Sequence, residues 1–175
     1  MVEDLRIIKT KRNIENAFLE LLTVKDFEKI TVKEITEHSL TGKTTFYYHY
    51  ADKYDLAQKI IDKASLEYSK LLKQRIVLEN TDKSLDNLHK ISKKFLLLRK
   101  IHFAEISVDK MMKNILADIL MEQLSPDIDH LTARLLSGFI FECLLAYGDG
   151  DFQQTSKEIN RSINYMQKLL LNEFK

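Results

Sequence analysis

Apolar positions recur at helical spacing along most of the chain. Ile7, Ile14, Ala17, Phe18, Leu21 and Leu22 fall on one stripe, which predicts an amphipathic helix from about Asp4 to Val24. Asp26 to Lys29 break the pattern, with Phe27 and Ile30 as apolar plugs. Thr31-Val32-Lys33-Glu34 is a capping box, in which the threonine hydroxyl caps the helix and the glutamate reaches back. It opens a short helix, Val32 to about His38, with Val32 and Ile35 facing inward. A turn follows at Ser39 to Gly42, and a third helix runs from Lys43 to about Tyr50. Phe46 and Tyr50 are four apart and share its buried edge. Asp52 caps a fourth helix, and Asp55 places negative charge in its first turn, where the helix dipole favours it. Nothing interrupts that helix from Lys53 to about Leu78.

The second half reads as further helices. Thr81 or Asp82 starts one that reaches about Ile101, and another covers Ser107 to Leu124. Ser125-Pro126 combines a cap with proline at the first helical position, a start signal for a helix to about Tyr147. Gly148-Asp149-Gly150 ends it. Thr155-Ser156-Lys157-Glu158 is a second capping box and opens a last helix to about Phe174.

Composition agrees with an all-α fold. Of 175 residues 45% are apolar and 30% charged, as in a globular protein, and only 4 are Gly and 1 is Pro. The net charge is +1, so any binding of nucleic acid has to come from a local patch. Arg6, Lys9, Lys11 and Arg12 form one run without acids. Lys90, Lys93, Lys94, Arg99 and Lys100 form another, which reads as a solvated helix face. Residues 1 to 53 hold 9 Lys or Arg against 9 Asp or Glu; His38 and His49 add charge only below their ordinary pKa of about 6.5.

Several classes lack their signals. The four glycines (42, 138, 148 and 150) form no phosphate loop, and the five histidines (38, 49, 89, 102 and 130) have no metal-ligand spacing. Ser137-Gly138 lacks the flanking glycine of a nucleophile elbow. The sequence therefore predicts no catalytic residue, no metal and no cofactor: the protein is not read as an enzyme. The single cysteine, Cys143, excludes an internal disulfide and suits a reducing cytoplasm. Glu3, Asp4 and Arg6 argue against a signal peptide. The longest near-apolar stretch, Leu135 to Tyr147, is too short to span a bilayer, which takes about 20 residues, so no membrane partner is expected.

The chemistry concentrates in residues 31 to 50, a short helix, a tight turn and a second short helix. In a helix-turn-helix the second helix enters the major groove and its N-terminal residues meet base edges. The third helix here supplies Lys43, Thr44, Thr45, Tyr47, Tyr48 and His49, which can bond bases or phosphates. A plain amphipathic core helix does not explain so many hydroxyls on so few residues. Phe27, Ile30-Thr31-Val32-Lys33-Glu34-Ile35 and the run Thr44-Thr45-Phe46-Tyr47-Tyr48-His49-Tyr50-Ala51-Asp52-Lys53-Tyr54-Asp55-Leu56 resemble the DNA-binding domain of the TetR family, over about residues 8 to 60. The resemblance implies a homodimer on a palindromic double-stranded DNA operator. It implies that Lys43, Thr44, Tyr47, Tyr48 and His49 face the groove or phosphates, that Lys53 contacts a phosphate, and that Lys33 approaches DNA from the second helix. The turn departs from the family's Ala-Gly-aliphatic pattern: here it is Ser39-Leu40-Thr41-Gly42. Leucine resists the positive φ that glycine supplies. Either the turn is rearranged around Gly42, or Leu40 replaces the aliphatic plug after a one-residue shift, with Thr41 capping the third helix. The register of that helix stays open between the two.

The expected architecture is therefore a three-helix DNA-binding domain (1–52), a long connecting fourth helix, and a helical dimerisation and effector domain (53–175). The helix from Pro126 to Tyr147 is apolar nearly all round and needs cover on every side. Leu131, Leu135 and Phe139, with Ile163, Met166 and Leu170 of the last helix, are the expected dimer interface. His102, Phe103, Met111, Met112, Phe139 and Cys143 are candidates for a pocket holding a small effector. The function read from the sequence is transcriptional regulation, repression in particular, with release by a small effector. The alternative is a helical regulator of the same fold that answers to a protein partner or has lost DNA binding.

Overall fold

The computed structural model describes residues 4–77, 93–103, 106–124 and 126–149, together with Glu158, Arg161, Ser162 and Tyr165. Its elements, in chain order, are α1 (Leu5–Val24), a 3-10 turn (Phe27–Lys29), α2 (Val32–His38), α3 (Lys43–His49), α4 (Lys53–Val77), α5 (93–98), α6 (Val108–Leu124) and α7 (His130–Asp149). All regular structure among the described residues is helical, as the periodicity predicts. The chain packs as two compact units, Met1–Ala64 with Leu97–Ile106, and Ser65–Leu96 with Ser107–Lys175. Packing thus joins residues 53–64 and 97–106 to the helices of the 1–52 segment.

Side-chain caps set most of the helix starts. Asp4 Oδ1 accepts from the Arg6 amide at 2.9 Å and opens α1. The capping box forms at α2: Thr31 Oγ1 accepts from the Glu34 amide at 3.3 Å, and Glu34 Oε2 accepts from the Thr31 amide at 3.0 Å. Asp52 Oδ1 accepts from the amides of Tyr54 and Asp55, both at 2.8 Å, while Asp55 Oδ2 accepts from the Ala51 amide at 2.9 Å. Each pair satisfies N–H groups that have no partner inside their own helix. Ser107 Oγ caps α6, accepting from the Lys110 amide at 3.2 Å.

One expectation at α7 is corrected. Ser125-Pro126 does not open the helix. Pro126 and Asp127 lie in a turn closed by the Asp127 amide on the Leu124 carbonyl at 2.8 Å. The cap is Asp129, whose Oδ1 accepts from the Thr132 amide at 2.7 Å. A carboxylate three residues further on, bonded to the first-turn N–H, outcompetes the proline signal. The helix ends at Asp149, within the Gly148-Asp149-Gly150 stretch expected to end it. The start expected at Thr81 or Asp82, the second capping box at Thr155 and the helix end at Phe174 lie outside the described residues.

The first unit has a continuous core. Ile14, Ala17, Phe18 and Leu22 of α1 are buried with Phe27, Ile30, Ile35, Phe46, Tyr50, Leu56 and Ile60. Ile7 and Leu21, placed on the same stripe by the sequence, are half-buried. The returning segment seals one side: Phe103 stacks on Phe27 at 5.6 Å and on Tyr54 at 5.4 Å. Lys100 Nζ donates to the last carbonyls of α1, those of Leu22 and Thr23, where a cation suits the helix C-terminus.

The α2–α3 turn takes neither form foreseen. Leu40 itself adopts φ 52. The Thr41 amide donates to the Thr36 carbonyl at 2.9 Å, and the Leu40 amide to the Glu37 carbonyl at 3.3 Å. This is the Schellman pair, with leucine where glycine is usual. Leu40 is 96% exposed, so it is no plug. Thr41 does not cap α3; the N-cap is Gly42, without a side-chain bond. A left-handed residue with a Cβ costs about 1–2 kcal/mol, and an exposed side chain contributes little packing in return. We expect Leu40→Gly to raise the unfolding free energy by about 1 kcal/mol, read as a higher thermal midpoint by circular dichroism.

A second prediction concerns acid. Hydrogen bonds from the Lys25 ammonium, then from the Thr31 amide and hydroxyl, hold the Glu34 carboxyl down at about 2, against an ordinary value of 4.5. Its stabilising contribution is therefore fully present above pH 4.5 and is lost as pH falls towards 2. The unfolding midpoint should decline across that window. The decline should be shallower in Glu34→Gln, which has no proton to take up.

Candidate nucleic-acid interface

α2 and α3 pack against each other, and each buries an apolar side chain completely, Ile35 and Phe46 respectively. Phe46 and Tyr50 share the inward edge of α3, with ring centroids 5.6 Å apart. The other side of this seven-residue helix points away from the core: Lys43, Thr44, Thr45, Tyr47 and Tyr48 are all exposed. Tyr47 is 56% and Tyr48 77% exposed. Both rings brace against neighbours, Tyr47 edge-on to Phe46 at 5.5 Å and Tyr48 edge-on to His49 at 5.0 Å. His49 is half-buried, and its carbonyl accepts from Lys59 Nζ at 3.2 Å. Hydroxyls, an ammonium and threonine methyls thus line one face, the donor and apolar set that a major-groove edge pairs with.

α2 is tied in from both ends. Lys25 pairs with Glu34 at its start, and His38 Nε2 lies 2.7 Å from Glu20 Oε2 of α1 at its end. Lys33 stays exposed at 69%, with Glu37 Oε1 3.9 Å away.

Residues 16–60 match the family model described as "Bacterial regulatory proteins, tetR family". A curated relative, the "Uncharacterized HTH-type transcriptional regulator YxbF" of Bacillus subtilis (strain 168), is 38% identical over 65 residues. That alignment covers 37% of this chain and only 17% of the relative's length. Residues 16–60 are thus similar to the DNA-binding domain of the TetR family. The fold agrees along its length. The fatty acid degradation regulator FadR from Bacillus halodurans superposes with a TM-score of 0.63 at 15% identity, covering 92% of this chain and 94% of that one. A transcriptional regulator (TerR/AcrR family) from Aquifex aeolicus VF5 gives 0.62 at 18% identity, with 92% and 99% covered.

Within this TetR-type domain, Lys53, the expected phosphate contact, is engaged with the protein's own backbone in the free chain. Its Nζ donates to three backbone carbonyls, those of Phe27 at 3.0 Å, Glu28 at 2.8 Å and Ile30 at 2.9 Å. An ammonium has three N–H donors, and all are engaged. The Phe27 and Tyr54 rings flank the charge at 4.8 and 5.3 Å. Lys53 is a positioning residue: it binds the loop after α1 to the start of α4. The sequence signal was present in Phe27 and the Asp52-Lys53-Tyr54 run, but the carbonyls that receive the charge are main-chain groups that no residue type reveals.

The effector candidates divide between the two units. His102, exposed, and Phe103 belong to the first unit, where Phe103 is part of the aromatic packing. Met111, Met112, Phe139 and Cys143 belong to the second. Met112 is fully buried core, and the half-buried Met111 accepts from Ser65 Oγ at 3.6 Å on its sulfur. Burial, and then the charge of Glu142, raise the Cys143 thiol pKa, which leaves it an unreactive thiol. The second unit does hold a cleft of about 390 Å³, lined by Lys110, Lys113, Asn114, Arg134 and Ser137 among others. The sequence reading missed it because its walls come from two helices whose facing only packing reveals.

The expected dimer residues on α7 are uncovered. Leu131 is 66% and Leu135 62% exposed and Phe139 is half-buried, while Ala133, Leu136, Ile140 and Phe141 face the core. Ile163, Met166 and Leu170 lie outside the described residues.

Lys53→Met should lower stability by about 2 kcal/mol, since it removes a charged donor from three carbonyls, of which only that of Phe27 keeps a backbone partner, the Ile30 amide. Lys53→Arg should recover only part, because a planar fork cannot reach the same three acceptors. Denaturant titration of the three proteins checks both.

Proposed function

We propose that this protein is a sequence-specific DNA-binding transcriptional regulator that acts as a homodimer on a palindromic operator. The observation that carries the reading is the outward face of α3, where Lys43, Thr44, Thr45, Tyr47 and Tyr48 are exposed beside a buried Phe46 and Tyr50. His49 and Lys33 flank that face, from the end of α3 and from α2. Repression follows from occupancy of an operator that overlaps a promoter. Release by a small effector would act through the second unit, whose cleft sets Lys110 and Arg134 beside Asp109 and suits a polar molecule better than an apolar one. The dimer proposal rests on Leu131, Leu135 and Phe139, spaced four apart on α7, which present apolar surface to solvent in the single chain.

The equal count of basic and acidic residues in 1–53 favours the second reading, a helical regulator that binds a protein instead of DNA. Salt separates the two, because counterion release makes DNA affinity fall steeply with ionic strength. Duplexes selected from random DNA by the purified protein should contain an inverted repeat. On such a duplex Lys43→Ala should lose about 1–3 kcal/mol of discrimination at one position per half-site. Tyr47→Phe, which removes only a hydroxyl, should cost less. Salt-independent binding, or none, would hand the protein to the second reading.

Light scattering at micromolar concentration should give twice 20.6 kDa. Leu135→Asp should yield a folded monomer with unchanged helix content, because the site is exposed in the single chain and the charge is buried only across an interface. A variant that remains dimeric would place the interface elsewhere.

A further inference from the structure

Leu40 combines two unfavourable conditions. Its backbone sits at φ 52, where a Cβ crowds the following carbonyl, and 96% of its surface is open to water. Glycine or asparagine would hold the same Schellman turn with less strain and no loss of packing. Folding therefore gives this position no use for an isobutyl group. Strain of this kind collects where a chain makes an external contact.

The place of the residue indicates which contact. Leu40 stands two residues before Gly42, the N-cap of α3. With about 3.8 Å between successive Cα atoms, it lies within about 8 Å of the end of α3 that meets bases in a helix-turn-helix. The Leu40 and Thr41 amides are bonded to α2 carbonyls, so the side chain projects from a fixed backbone. The exposed Thr44, Tyr47 and Tyr48 continue the surface along α3. We propose that Leu40 is a specificity-determining residue of the DNA complex, its methyl groups meeting a thymine C5-methyl at the lip of the major groove. This rests on α3 being the recognition helix. Thymine alone offers a methyl group there, so the contact distinguishes sequences without a hydrogen bond.

The test compares the parent, Leu40→Gly, Leu40→Asn and Lys43→Ala on a duplex selected from random DNA and on a scrambled duplex, at several salt concentrations, with thermal unfolding of each. Both Leu40 variants should unfold at higher temperature than the parent. Both should bind the selected duplex about three- to tenfold more weakly, the effect of half-burying a leucine, and the scrambled duplex as the parent does. Their salt slope should stay unchanged, because an apolar contact releases no counterion. Substituting thymine by uracil in the selected duplex should reproduce the loss for the parent and leave both variants unaffected. Full affinity in both variants would overturn the proposal while Lys43→Ala still reports on the recognition helix. So would a loss confined to Leu40→Gly, which would trace to turn freedom, or an equal loss on both duplexes. A parent that binds no duplex would overturn this proposal together with the DNA-binding reading.

Discussion

The first unit depends on one buried-edge cation. The Lys53 ammonium gathers the carbonyls of Phe27, Glu28 and Ile30 into a three-point clasp between the Phe27 and Tyr54 rings. Those carbonyls belong to the connection between α1 and α2, where the Phe27 carbonyl also takes the Ile30 amide and the other two rely on the lysine. The clasp anchors the loop to α4, and the Thr31–Glu34 box then starts α2 from that anchor. α3 takes its place from the packing of Phe46 and Tyr50 into the same core. The Lys53 charge thus serves the scaffold, and the outer face of α3 stays exposed.

The turn between α2 and α3 shows how strain and register trade against each other. The chain needs a left-handed residue after Ser39 to bond Thr41 back to Thr36. Leu40 takes that conformation instead of shifting the helix by one residue. A shift would rotate Phe46 out of the core, and exposing a buried phenylalanine costs about 2–3 kcal/mol, more than one left-handed residue. Burial of Phe46 decides the contest, and with it which hydroxyls face outward.

The second unit follows a different rule. α7 buries Ala133, Leu136, Ile140 and Phe141 and leaves Leu131 and Leu135 in water. A helix that is apolar on more than one side is incomplete in a single chain. Lys113 pairs with Glu142 at 3.0 Å and Lys94 with Glu67 at 2.9 Å on the polar surface of this unit.

Local rules were enough to read the helices from the residues. Periodicity placed α1 to α4 and α6, and side-chain oxygens at Asp4, Thr31, Asp52 and Ser107 cap all of these but α3. The outward set on α3 was legible because Phe46 and Tyr50 define the opposite edge. What the residues alone left undecided involved partners distant in sequence or main-chain geometry. Lys53 could be assigned only once its three carbonyls were in place. Phe103 became part of the first unit only when the chain returned after α5 to stack on Phe27, 76 positions earlier in the sequence. The α7 start moved to Asp129 because a local proline signal is weaker than a formed carboxylate cap. The φ of Leu40 was settled by the burial of Phe46 six residues further on. Sequence pattern determines which elements form and which face is apolar; tertiary packing decides which polar groups each cation and each strained residue serves, because those groups are main-chain atoms that carry no residue-type signal.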